Sequence, residues 1–166
     1  MTTLTLSSET ILVEEADELI AKTSPDQLVV NGIVGDGTVV SFQIRGGMNR
    51  GTAFLFEIHG DQGDLQLTAT SRASTQRQEL NVRGARGDEK ELAELPIPGK
   101  YRWVPEGVAP DSRYNVAQLY ARLAESIRDG KPISPGFDAA VTRHRLIDAI
   151  VSASETGMKQ VIESSQ

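Results

Sequence analysis

Two spacings of apolar residues follow one another along this chain, and each predicts a different kind of element. From Leu28 to Ala69 the period is two. Val40, Phe42 and Ile44 alternate with Val39, Ser41, Gln43 and Arg45, as in a strand with one buried face and one wetter face. The run LVVNGIV before it is joined through Asp36 and Gly37, a pair that favours the type I′ hairpin turn. Phe54, Phe56 and Ile58 then alternate with Leu55, Glu57 and His59, and Gly60 to Gly63 turn the chain into Leu65, Leu67 and Ala69. A second hairpin is expected there. Leu80 with Val82, and Leu92 near Leu95, predict two more strands separated by the polar turn RGARGDEK.

Beyond Pro110 the period changes to that of a helix. Val116, Leu119, Tyr120, Leu123 and Ile127 make one face, with Asp111 or Ser112 as the cap and Gly130 as the stop. A second helix fills Pro135 to Gly157. Ala140, His144, Ile147, Val151 and Ser154 recur at steps of four and three, Val141 and Ile150 widen the stripe, Asp138 suits the positive end of the helix dipole, and Gly157 supplies a left-handed cap. A last strand is expected around Gln160 to Ile162. Between the strands and the helices, Pro96, Pro98, Pro105 and Pro110 with Gly99 and Gly107 deny regular pairing. That stretch reads as a loop, anchored by Tyr101 and Trp103. At the other end, Leu4, Leu6, Ile11 and Val13 suit strand segments, while Glu14, Glu15, Asp17 and Glu18 around Leu19 and Ile20 leave helix and extended structure both open.

Strands followed by two one-sided helices predict an α+β fold, an open-faced, mostly antiparallel β-sheet with helices packed on one face. Residues 1–166 are read as a single domain, with 1–23 as its uncertain leading segment. Gln43, Arg45, Glu57, His59, Gln66 and Thr68 mark the face away from the helices, and this mixture suits either water or a partner.

Phe137, Ala140, His144, Ile147, Asp148, Ala149, Ser152, Ala153 and Gly157, together with Asn115, Tyr120, Ile127 and Gly130, carry a family resemblance. They resemble the closing helices of the glucose-fructose oxidoreductase and inositol dehydrogenase family (Gfo/Idh/MocA). The resemblance extends upstream through IHGDQGDLQL and SPDQLVVNGIVGDGTVVSFQIRGG, so it spans roughly Thr23 to Ile162 and concerns the family's C-terminal domain only. The same region is similar to the C-terminal domain of fungal galactose-pathway repressors. The resemblance favours extended structure in the leading segment. It implies a stand-alone or separated C-terminal domain of an NAD(P)-dependent sugar or polyol oxidoreductase, with substrate-pocket and oligomerisation roles and inactive by itself. It further implies a homo-oligomer formed through the open sheet face, a sugar or polyol ligand, and a Rossmann-domain partner. The alternative it leaves open is a non-catalytic regulatory domain for protein interaction.

The family's dinucleotide-binding domain and its Glu-Lys-Pro lysine are not in this sequence, and Glu89, Lys90 and Glu91 do not reproduce that motif. No cofactor is therefore expected on this chain, and NAD(P) only with a Rossmann domain or partner. Gly32, Gly35 and Gly37, and the run GGMNRG at 46–51, lack the G-x-G-x-x-G order that opens a helix after a strand; they read as turns. Ser152 and Ser154 lack a nucleophile elbow. Arg86, Gly87 and Asp88 read as a turn.

With 166 residues, a net charge of -6 and no cysteine, the sequence has neither the basic footprint of a nucleic-acid or acidic-membrane binder nor thiols for a disulfide framework or thiolate metal site. No run reaches membrane-spanning length and MTTLTLSSE lacks the pattern of a signal peptide. A cytoplasmic protein is expected. His59 and His144 lack ligand spacing, so no metal site is expected. His144 reads as a core-edge histidine bonded to a neighbour, His59 as a solvated residue beside a turn and the better candidate of the two. Arginines and aromatics near loops hold carboxylates or sugar faces, and Arg45, Arg50, His59, Tyr101, Arg102 and Trp103 form the candidate substrate-binding set. For Trp103, loop anchor and ligand platform both stand. No residue is assigned a catalytic role.

Overall fold

The computed structural model describes residues 2–47, 50–69, 80–105, 107–108 and 112–162. Within them the chain is α+β and its strands pair antiparallel throughout. It divides into two compact units, residues 1–47 with 135–166, and residues 48–134. The strands form three sheets rather than one continuous platform.

In the first unit, β1 (Thr2–Thr5), β4 (Gln27–Val34) and β5 (Thr38–Arg45) make a three-stranded sheet in the order β1-β4-β5. The register puts Leu4, Leu28 and Ile44 in one row and Val30 and Phe42 in the next on one face, with Val29, Gln43 and Arg45 on the other. The alternation thus fixes which residues share a face, but it does not bury one of them in β5, where Val40, Phe42 and Ile44 are exposed along with their neighbours. The turn between β4 and β5 holds three residues, not the two of a type I′ hairpin: Gly35, with φ 58°, is drawn in beside Asp36 and Gly37, and the Gly37 N–H bonds to the Val34 carbonyl. In the leading segment β2 (Thr10–Val13) and β3 (Glu18–Ala21) form a hairpin of their own, with Glu14, Glu15 and Asp17 in its turn.

Helix α2 (Phe137–Thr156) completes this unit. Gly157 closes it in the left-handed conformation (φ 68°), its N–H bonded to the Ala153 carbonyl, as the sequence predicts. The helix packs on β1, where Ser154 Oγ accepts from the Leu4 N–H at 3.1 Å. An outward-facing donor of an edge strand is thereby satisfied by a helix instead of by a further strand. Thr2 and Leu4 are half-buried while Thr3 and Thr5 are exposed, so α2 lies on the Leu4 side. Its half-buried residues are Ala139, Leu146, Ala149, Ile150, Ser152, Ala153 and Ser154, whereas Ala140, Val141, His144, Ile147 and Val151 are exposed. The stripe keeps Ile150 and Ser154 of the expected one and otherwise lies one residue, about 100°, round from it. His144 is accordingly an exposed residue, not a core-edge one. Residues 159–162 form no strand, and none of the described strands pairs with them.

In the second unit, β6 (Phe54–Gly60), β7 (Gly63–Ala69), β8 (Asn81–Arg86) and β9 (Ala93–Glu94) make a meander. One face carries Phe54, Phe56, Ile58, Leu65, Leu67 and Val82; the other carries Glu57, Gln66, Arg83 and the pair His59 and Asp64. β8 runs to Arg86 because β7 offers it partners as far as Gly63, so the polar turn begins at Gly87, later than expected. Helix α1 (Ser112–Asp129) follows a single 3-10 turn at Gly99–Tyr101. Of the two expected caps, Asp111 lies outside what is described, as does Pro110, and Ser112 is the first residue of α1.

Candidate functional site

The best-organised polar construction in the second unit joins the proline-rich loop to α1. The 3-10 turn is closed by the Tyr101 N–H to the Pro98 carbonyl and the Arg102 N–H to the Gly99 carbonyl, at 3.0 and 2.9 Å. Beyond it no ladder is available for the backbone, and Gln118 takes its place. Its Oε1 accepts from the N–H groups of Trp103 (2.6 Å) and Val104 (3.1 Å), and its Nε2 donates to the Tyr101 carbonyl (3.1 Å). One amide side chain thus satisfies three backbone groups that a loop would otherwise leave to water.

Charge and aromatic surface converge on the same loop. The Arg122 guanidinium lies over the Trp103 ring, 4.9 Å from its centre, and Lys100 Nζ lies 5.0 Å from the centre of Tyr101. Both are within cation–π range. Arg102 Nη1 reaches toward the Tyr114 hydroxyl at 3.5 Å. Arg122 also pairs with Glu125 at 2.7 Å. Tyr101 and Trp103 remain 51% and 46% exposed, so neither ring is consumed by the docking. The two readings of Trp103 therefore coexist, with its backbone as anchor and half of its indole open.

The half-buried residues described in α1 are Tyr114, Ala117, Gln118, Ala121, Arg122 and Ser126, one continuous stripe at helical spacing. The expected apolar face of Val116, Leu119, Tyr120, Leu123 and Ile127 is exposed instead. The loop is held by hydrogen bonds and ring contacts, so it selects the face that carries Gln118 and Arg122.

The other candidates belong to other elements. His59 is exposed at the end of β6 and pairs across its own hairpin, Nδ1 to Asp64 Oδ1 at 3.1 Å. Arg45 ends β5 in the first unit, opposite Gln27, and Arg50 lies in an exposed bend. Gln118, Arg122 and Lys100 were not among the residues singled out from the sequence. Arginine and lysine near aromatic residues were the available signal, whereas a helical glutamine carries none.

A second network ties the first unit together. Asp26 accepts from the Lys22 ammonium, from the Ser7 hydroxyl and from the Ser7 N–H (2.8 Å), and its own backbone N–H and carbonyl bond Thr5 and Gly46. The Lys22 hydrogen bond, with the Ser7 hydroxyl second, holds the Asp26 carboxyl well below the usual carboxylate range. Its partners belong to the chain itself, so it reads as a clasp. Among the described residues, no group of three or more His, Asp or Glu side chains is placed to hold a metal ion, and no helix is long and apolar enough to cross a membrane.

Antiparallel sheets with two helices define an α+β class of fold. Residues 2–69 match the family model of the Gal80p C-terminal domain, a C-terminal domain of the Gfo/Idh/MocA type. The match takes in β1 to β7, including the leading segment upstream of Thr23. No curated protein and no solved structure matches the chain.

Proposed function

We propose that this chain is a non-catalytic module for self-association and ligand holding, of the kind that serves an NAD(P)-dependent sugar or polyol oxidoreductase-like protein. A dinucleotide-binding partner would supply cofactor and acid–base groups. The observation that carries the reading is the sheet face of the first unit turned away from α2. There the cross-strand pair Ile33 and Val39 stands 63% and 78% exposed next to the polar pair Asn31 and Ser41, with Val29, Gln43, Thr3 and Arg45 further along the same face. Apolar pairs flanked by polar side chains mark contact surfaces, and self-association at such a face is what the resemblance to the Gfo/Idh/MocA C-terminal domain implies. Sedimentation over a concentration series tests it: the chain is expected to dimerise or go further, and Val39→Lys to shift it toward monomer. A monomer at the highest concentration would overturn the self-association. Titration with NAD(P)H is expected to show no binding by the chain alone.

The description of the matching model favours one further reading, a regulatory domain whose sheet and loops recognise another protein. Mixing with a dinucleotide-binding partner chain distinguishes the two. Nicotinamide-dependent turnover supports the oxidoreductase module, and its absence with retained binding to a transcriptional regulator supports the other.

A further inference from the structure

The three-stranded sheet of the first unit has two edges, and they are treated differently. At β1 the helix α2 closes the edge, where Ser154 accepts from the Leu4 N–H. At β5 the outer edge pairs with no described strand, and all eight residues from Thr38 to Arg45 are exposed. The outward N–H and C=O groups of such a strand are a template for another one, so edges are ordinarily kept short or blunted by a lysine, a proline or a bulge. β5 has none of these: its register with β4 runs unbroken from Thr38 to Arg45. In a chain that is 24% charged, β4 and β5 carry one charged residue between them, Arg45. The edge strand β6 of the second unit, by contrast, carries Glu57 and His59. Depletion of charge marks a surface that meets another chain.

We propose that β5 pairs edge to edge and antiparallel with β5 of a second copy of this chain, joining two three-stranded sheets into one across a two-fold axis. The inference rests on the self-association proposed above and names the strand that brings the copies together. In such a pairing, side chains directly opposite share a face, so one residue lies opposite its own copy at the axis. With Phe42 there, Val40 of each copy lies opposite Ile44 of the other. These are the three apolar residues that α2, packed on β1, leaves exposed, and aromatic and β-branched cross-strand pairs stabilise a sheet. On the opposite face Ser41 meets Gln43 and Val39 meets Arg45, so no like charges stand opposite one another. The ends are complementary as well. Arg45 ends β5 and the exposed Asp36 lies in the turn before it, so antiparallel pairing runs the arginine end of each copy toward the aspartate turn of the other.

Sedimentation of Phe42→Lys and Phe42→Glu, alone and mixed, tests the pairing. Alone, each variant sets like charges opposite each other at the axis; mixed, they set unlike charges there. Each alone is expected to dissociate at least about tenfold more readily than the wild type, and the equimolar mixture to associate more tightly than either. Variants that associate like the wild type would overturn the edge pairing and leave the Ile33 and Val39 face as the contact, since Phe42 lies on the other side of the sheet. Variants that stay monomeric even when mixed would also overturn it. Circular dichroism checks that the fold is kept, and hydrogen exchange of the wild type makes the test without any substitution. Amides of β5 are expected to gain protection as concentration rises, because edge pairing gives them partners and stacking of faces does not. A chain that associates with no such gain loses the edge pairing and keeps the module reading, whereas a monomer at the highest concentration overturns both.

Discussion

Replacing Gln118 with leucine isolates what one side chain does for the loop. The substitution keeps the volume and the helix propensity of the position nearly constant, so its effect is confined to three hydrogen bonds, those to Trp103 N, Val104 N and the Tyr101 carbonyl. A net contribution of about 0.5–1.5 kcal/mol for each bond sets the range. Because the loop is largely exposed and water can replace each partner, the low end applies, and the three together come to about 1.5 kcal/mol. That is roughly a tenfold change in a local opening equilibrium. Hydrogen exchange followed by NMR reads it at the bonds themselves: protection of the Trp103 and Val104 amides is expected to fall about tenfold while amides in β4 and β7 are unchanged. Gln118→Glu retains the acceptor and loses the donor, so it is expected to fall in between. If the Trp103 and Val104 amides exchange at wild-type rates in Gln118→Leu, the loop is held by something other than this amide. A uniform loss of protection across β4 and β7 would refute the claim that the loop opens locally.

The Asp26 clasp predicts a pH dependence of stability. Its folded carboxyl is depressed below the ordinary value of 3.8 by Lys22 and Ser7, so the stabilisation is fully present above that value and is lost as pH falls through the lower, folded value. Urea unfolding at neutral and acid pH is expected to show this decline in the wild type and a flatter profile in Asp26→Asn. Gly84→Ala is expected to destabilise by about 1–3 kcal/mol through overpacking, since an added Cβ would lie 2.8 Å from Leu95 Cδ1 and 3.1 Å from the Asp64 carbonyl oxygen. Gly99→Ala, with nothing within 4 Å, is expected to be near neutral, and thermal melts compare the two. Gly157→Ala is expected to cost about 1 kcal/mol in the same assay, because the helix ends there at φ 68°.

The strands were legible because their signal is local. A period of two fixes which side chains share a face, and the glycine-bearing turns show which strands are joined, so that β4 pairs with β5 and β6 with β7 could be read, while the register of the first pair could not, because Gly35 joins the turn expected of Asp36 and Gly37 alone. The helix boundaries were legible for a similar reason, as Gly157 shows. What the helices bury was not. An apolar stripe states which face can be hidden, and on α1 the loop chose the opposite face, where Gln118 and Arg122 could bond it. Hydrophobic periodicity has no means of registering such a choice. The Asp26 clasp escaped for another reason: Ser7, Lys22 and Asp26 are common polar types, and only the folding of two hairpins beside each other makes them neighbours. In the site, Tyr101, Arg102 and Trp103 were visible as unusual residues in an irregular stretch, while Gln118, which organises them, looked like any helical surface position.

The two faces of α1 therefore follow different physics, and that difference bears on how the unit works. Hydrogen bonds between a loop and a helix exchange with bonds to water at little net gain, so the loop can open and close on α1 without the loss of any core. The opposite stripe, Val116, Leu119, Tyr120, Leu123 and Ile127, is exposed and gains only by leaving water, which is non-directional and scales with area. A surface of the first kind suits a ligand that must be admitted and released, since pre-set polar partners fix its orientation. A surface of the second kind suits a lasting contact. Placing them on opposite sides of one helix lets the loop change while the apolar stripe stays as it is.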